Sequence, residues 1–515
     1  MALERDIYRA LEDVVGPENI SEDPVILDSY AWRSGLLAGP VKFVPRFAAV
    51  TLPKDTGEVQ AIVKLCNRYR LQFKASCTGW GPYCDPTRPG VIKMDLRRMN
   101  RILEINEKNM YAVVEPYVIY AQLQAELMKR GLNCNITGAG SNCSALPIAA
   151  HSNLGHLSIS GSYGERNQLA MEWVAPDGEI VRLGSLGASG EWFCGDGPGP
   201  SLRGIVRGNT VPLGGLGVYT KAAQKLYHWP GPSVYPVAGV SPHYTNQVPP
   251  CFMIRYFSFP SLDLLIDAAR RVGESEIGFI LMGFNTGMVA SNLAESNDED
   301  LEYMVQFRKS VQGPGFILII AGNSPNDFAY KKQVLQQIIE ETKGKSLVAV
   351  EDPQNAGGFI WRWIRVTGSI REVHRATGAF AGQVGGTDVF PLMSRFIQQG
   401  TKVKEYFTRK DLLLDDSMEP FVQLIEHGHC GHGELLIRYF PSNSESVKAS
   451  FDVFMAANKT AVEGHFGVPH HVWSDAIHDM YGPYTSNYTG WLRKIKKTFD
   501  PNAASEPGNY ISAKE

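Results

Sequence analysis

Residues 51–81, TLPKDTGEVQAIVKLCNRYRLQFKASCTGWG, constrain the fold of this chain more than any other stretch. A proline turn leads into a helix-like segment. Ile62, Val63 and Leu65 supply its apolar face, and the charges around them face water. A short strand-like run at 71–75 follows and ends in Cys77-Thr78-Gly79-Trp80-Gly81. Glycine there lets backbone N–H groups turn toward an anion, as a pyrophosphate-bearing cofactor requires. Neither standard nucleotide fingerprint is present. Ile339 stands where a P-loop ending at Gly344-Lys345-Ser346 needs glycine, and no G-x-G-x-x-G follows a strand and opens a helix. A G-x-S-x-G nucleophile elbow is also missing.

With 515 residues and 44% hydrophobic content, the chain can bury two or three cores. A net charge of −3 leaves no basic footprint for nucleic acid. No run is apolar enough to span a bilayer, and MALERDIYRALEDVVG lacks the apolar core of a signal peptide. The eight cysteines are scattered without a CxxC pair. That spacing argues against a zinc ribbon, an iron–sulfur cluster or a disulfide framework. A cytoplasmic, reducing location is the expectation, and the sequon Asn135-Ile136-Thr137 is then accidental.

From 51 to about 227, helix and strand patterns alternate. VIKMDLRRMNRILEINEKNMYAVVEPYV reads as two β segments around a turn, and AQLQAELMKRGLNC as an amphipathic helix stopped by Gly131. A Gly/Ser/Asn-rich stretch, 137–164, has the length of a functional loop. HWPGP at 228–232 marks a boundary. Beyond it come β–α–β units: CFMIRYF, SLDLLIDAARRVG and IGFILMGF; then FILIIAG, FAYKKQVLQQIIEETKG and SLVAVED; then ELLIRYF and SVKASFDVFMAANKTAVEG. This order predicts an antiparallel sheet covered on one face. The expected organisation is a first domain at 1–229, a second at 230–483, and a segment at 484–515 that returns to the first.

The runs TLPKDTGEVQAIVKLCNRYRLQFKASCTG, VIKMDLRRMNRILEINEKNMYAVVEPYVIYAQLQAEL, MEWVAPDGEIVRLG, GGLGVYTKAAQKLYHWP and FDPNAASEPGNY, in this order, resemble the vanillyl-alcohol oxidase/p-cresol methylhydroxylase flavoprotein superfamily. Its glycolate-oxidase-like members are included. The resemblance implies an α+β fold: a two-subdomain FAD-binding domain plus an antiparallel-sheet cap that binds substrate. It also implies FAD contacts at Ser76, Cys77, Thr78, Gly79, Trp80 and Gly81, at Gly155, His156 and Ser160 of the long loop, and at Gly217, Val218 and Thr220. Gly155 and His156 fall where phenol-oxidising relatives carry an aspartate near the flavin. Many members attach FAD to a histidine just after the first loop; here Trp80-Gly81-Pro82 stands there. Non-covalent FAD is therefore expected, with a Cys77 thioether as the alternative.

The densest reactive cluster is Glu426-His427-Gly428-His429-Cys430-Gly431-His432-Gly433-Glu434. It resembles the H-x-G-D-G-N-x-H metal motif of the D-2-hydroxyacid dehydrogenase branch. His429 falls on the first histidine, but Leu436 replaces the second. Three readings stay open: a divalent metal on His427, His429 and Glu434; a metal-free base at His429 or His432; or a polar turn. A second cluster offers His470 as a catalytic candidate and His471 as a substrate contact. In IWRWIRV, alternation suggests a strand that presents Trp363 and Arg365 to substrate, against a plain reading of core tryptophan and solvated arginine.

Together these features predict an FAD-dependent dehydrogenase or oxidase. A hydride would pass to flavin N5 from a small alcohol, a hydroxy acid or an aromatic alcohol, while a histidine takes the hydroxyl proton. The alternative is a flavin-containing electron-transfer subunit or scaffold that serves an electron-accepting protein. No nucleic-acid or membrane partner is expected, and a homo-oligomer is left open.

Overall fold

The computed structural model describes residues 3–31, 43–78, 84–151, 155–161, 164–192, 200–208, 210–365, 375–415, 420–467 and 474–514, without the side chains of 382–384. Asp55 caps the helix Thr56–Arg68 by accepting the Glu58 N–H. Val59, Ile62, Val63 and Cys66 form its buried stripe, packed with Phe73, Ile92 and Met94. The helix is the crossover between the strands Ala49–Thr51 and Gln72–Ser76, which flank Val91–Asp95 and run parallel to it. Ser76 therefore sits at the carboxyl end of a parallel sheet, where ligand-binding loops collect.

A second sheet is antiparallel. Its order is Ile102–Asn106, Tyr111–Val114, Val218–Lys225, Gln168–Val174 and Ile180–Leu183. The stretch expected to hold two β segments thus holds three strands, the first in the parallel sheet and the other two in a hairpin here. Helix Tyr120–Met128 ends before Gly131, whose φ of +68° suits glycine. The C-terminal helix Tyr488–Phe499 packs Phe499 against Trp173 at 5.4 Å, and Ser505 forms a parallel bridge with Phe73.

The cap holds two antiparallel sheets. One orders Ile280–Gly283, Gly315–Ala321, Phe252–Ser258 and Lys345–Ser346; the other orders Ala379–Asp388, Cys430–Tyr439 and Phe421–Ile425. Their edges abut at Gly283, where a Cβ would overlap the Val422 backbone. Helices Phe390–Thr408 and Ser444–Gly464 cover one face of the three-stranded sheet. Met393 and Ile397 fill the space that glycine leaves at Gly431 and Gly433. Side chains alternate along a strand, so His432, Glu434, Leu436 and Arg438 share the other face.

Two expected strands are corrected. IWRWIRV is not a strand: its first residues end the helix Pro353–Trp363, which Asp352 caps by accepting the Gln354 N–H. Phe359, Ile360 and Trp363 are buried at helical spacing, and this period wins over the apparent alternation. In SLVAVED only Ser346 pairs with the sheet, beside Lys345, and Val348–Glu351 is helical. No described helix is long and apolar enough to cross a membrane.

Candidate active site

The first glycine loop and the long second loop are tied together at Thr78. Its N–H donates to Ser144 Oγ at 3.3 Å, and the Ser144 N–H donates back to Thr78 Oγ1 at 3.2 Å. Ser76 is buried and Cys77 half-buried; burial pushes the Cys77 thiol up against the opposing Ser144 contact, which keeps it protonated at neutral pH. Gly79, Trp80 and Gly81 lie outside the described residues.

Further along, the second loop folds over Asn135. Its Oδ1 accepts the Leu157 N–H at 3.0 Å, and a Cβ on Gly155 would overlap the same side chain, so only glycine fits there. His156 is fully buried, and desolvation lowers its pKa to about 3, so the ring is neutral. The Ile136 N–H donates to Nδ1 at 2.9 Å, which leaves the ring proton on Nε2. That Nε2–H has no partner among the described residues. Ser160 Oγ donates to the Leu157 carbonyl at 3.4 Å. Gly217 turns at φ +78°, and its N–H donates to Ser505 Oγ at 2.8 Å. Val218 then opens a strand. The Thr220 hydroxyl is taken by Glu172, 3.2 Å away, which also accepts from Thr56 at 2.7 Å and pairs with Lys221 at 2.8 Å.

The cap is stitched onto this loop by its edge strand. Gln423 Nε2 donates to the Gly155 carbonyl. Just beyond, the Glu426 and His427 N–H groups donate to Ser158 O at 2.9 Å and Ile159 O at 2.7 Å. Arg166 closes the seam with Glu426 at 3.1 Å. Gln423 pairs in register with His432, so the polar face of the central strand turns toward Gly155. On that face His432 Nδ1 lies 2.8 Å from Thr387 Oγ1, and Nε2 lies 3.2 Å from Glu434 Oε2.

His427 and His429 stay exposed on the turn before the strand, whereas His432 is fully buried on it. The metal reading of His427, His429 and Glu434 is therefore corrected. Among the described residues no three His, Cys, Asp or Glu side chains gather as ligands. The turn-to-strand change sends the three side chains into different surroundings. His470 and His471 lie outside the described residues. Trp363 is 1% exposed, its ring edge-on to Phe284 at 4.5 Å, and Arg365 stacks over Trp361 at 4.4 Å. Sequence reasoning missed Gln423 and Thr387. Both are ordinary polar residues in strands, and only the register to His432 singles them out.

Residues 47–184 match the FAD binding domain family. The fold as a whole is that of p-cresol methylhydroxylase: its substrate-bound crystal structure aligns at a TM-score of 0.74 and 17% identity, covering 98% of this chain and 96% of that one. In sequence the chain is similar to dehydrogenases along most of its length, and its FAD binding domain match lies within residues 47–184. Among individual proteins, it is 23% identical over 470 residues to the probable mitochondrial D-lactate dehydrogenase of Danio rerio, covering 90% of this chain and 84% of that protein. It is 29% identical over 171 residues to the 4-cresol dehydrogenase (hydroxylating) flavoprotein subunit of Pseudomonas putida, covering 31% of each.

The residues present fit FAD. The buried neutral imidazole of His156, on the loop expected to run beside the flavin, has an N–H with no partner among the described residues.

Proposed function

We propose that this chain oxidises the CH–OH group of a small 2-hydroxy acid or related alcohol, at the cap-sheet face that carries His432 and Glu434. The carrying observation is the bond from Gln423 to the Gly155 carbonyl, which turns that face toward the loop around His156. The hydroxy-acid reading is favoured over a phenol by extent. In sequence, as distinct from fold, likeness to the D-lactate dehydrogenase runs through 90% of the chain and likeness to the cresol enzyme through 31%.

FAD would rest on the 76–81 loop, on Gly155 and His156, and on the turn at Gly217 and Val218. His156 would donate its Nε2–H, and Cys77, held as a thiol, would leave the flavin non-covalent. When bound, FAD supplies the two-electron oxidant that takes the carbon-bound hydrogen with its electron pair. The buried cap face excludes water and orients the hydroxyl, while a group on that face takes its proton.

The test is turnover with an artificial electron acceptor, comparing 2-hydroxy acids, simple alcohols and 4-alkylphenols. Preference for a hydroxy acid supports the reading. Turnover of 4-alkylphenols alone contradicts it.

A further inference from the structure

The polar face of the cap sheet holds two groups able to take a proton, and they differ in access. His432 is 0% exposed at its side chain, with the Phe421 ring edge-on at 6.4 Å, whereas the Glu434 side chain is 15% exposed. A group that receives a proton from substrate must present surface to the space substrate enters. Glu434 presents surface, and His432 presents none.

The strand neighbours pack closely beside Glu434. Gly385 stands directly across on one side and Phe421 on the other. A Cβ on Gly385 would lie 2.8 Å from Glu434 Cβ and 2.6 Å from the Gly433 carbonyl. Only glycine fits at that position, so the strands approach closely and hold the Glu434 backbone in place.

Hydrogen-bond roles follow from chemistry. An ionised carboxylate only accepts, so the 3.2 Å contact puts the ring proton on His432 Nε2. Nδ1 then carries the lone pair, and the Thr387 hydroxyl donates to it at 2.8 Å. Thr387 thereby fixes the tautomer, and His432 holds Glu434 Oε2, which leaves Oε1 outside that contact.

We infer that Glu434 is the catalytic base and that His432 is its positioning residue, an assignment that rests on the oxidation of a CH–OH donor argued above. The substrate O–H bond breaks and its proton passes to Glu434 Oε1. The electron pair left on oxygen becomes the second C–O bond as the carbon loses its hydrogen, with two electrons, to the FAD oxidant. The products are the carbonyl compound, protonated Glu434 and reduced flavin.

Two measurements on the full-length holoprotein test this. The first needs no substrate: carbodiimide with glycine ethyl ester labels accessible carboxylates, and diethyl pyrocarbonate labels accessible imidazoles, both read by peptide mass mapping. Glu434, His427 and His429 are expected to label and His432 to be spared; a labelled His432 beside a spared Glu434 overturns the assignment. The second is anaerobic flavin reduction by the best donor. Glu434→Gln is expected to slow it by about 10²–10⁴-fold with FAD content unchanged. His432→Gln, which keeps an N–H donor, is expected to retain most of the rate that His432→Leu loses. Equal loss in both His432 variants, or a Glu434→Gln variant within about threefold of the parent, overturns the assignment. If no CH–OH donor reduces the parent flavin, the functional reading fails, and the labelling order alone decides which group faces the open space.

Discussion

Lys74 Nζ lies 2.6 Å from Glu506 Oε2, with both side chains fully buried and 432 positions apart in sequence. The Thr87 N–H also donates to Glu506, at 3.2 Å. Lys74 stands two residues before Ser76, so this pair fastens the C-terminal segment beside the start of the first glycine loop. Removing one partner leaves a buried charge without compensation, which costs about 3–5 kcal/mol. Glu506→Gln is expected to lose that much stability in urea unfolding. A Lys74→Met/Glu506→Leu double variant is expected to recover much of it.

Acid should loosen the same fastening. Burial works to raise the Glu506 pKa, but Lys74 and Thr87 outweigh it and hold the carboxyl below its usual value. A depressed folded-state pKa contributes stability above the unfolded value, near 4.3, and loses it as pH falls toward the folded one. The parent's urea midpoint is expected to drop through that window more steeply than the double variant's.

His156 gives a second acid-sensitive term. Its folded pKa of about 3 lies below the unfolded value near 6.5, so the unfolded chain binds the extra proton first. Stability is expected to decline as pH falls from about 6.5 toward 3, and His156→Leu is expected to flatten that decline. The same variant removes the Nε2–H and is expected to weaken FAD binding by roughly 5–30-fold, measured by flavin fluorescence.

Trp363 acts through the core. Edge-on to Phe284 and packed among Met282, Phe359 and Ile360, it is expected to cost about 3–5 kcal/mol as Trp363→Ala. Trp363→Phe is expected to lower the melting temperature and leave KM unchanged. A KM effect without lost stability would mark a substrate contact instead.

How far the sequence reached depended on which period governed each segment. The helix at 56–68 was legible from Ile62 and Val63, which lie on its buried stripe; Val59 and Cys66 complete that stripe, and Leu65 packs only at its edge. IWRWIRV was misread because its alternation overlaps a helical stripe, and the Asp352-Pro353 start that decides the matter lies upstream. The histidine run drew attention to this stretch of the cap, yet adjacency hid the break in backbone at His427, φ +57°. In the turn the rings of His427 and His429 face water; on the strand from Cys430, alternation buries His432 and brings Glu434 alongside. Gln423 carried no local signal, since its role depends on register and on a carbonyl 268 residues away.

The most direct test of the account is an anaerobic titration of the FAD-reconstituted protein, following its visible flavin spectrum as 2-hydroxy acids are added. A flavin spectrum that one hydroxy acid bleaches stoichiometrically is the predicted result. A protein that takes up no flavin, or a flavin that dithionite reduces and no hydroxy acid or alcohol does, would contradict it.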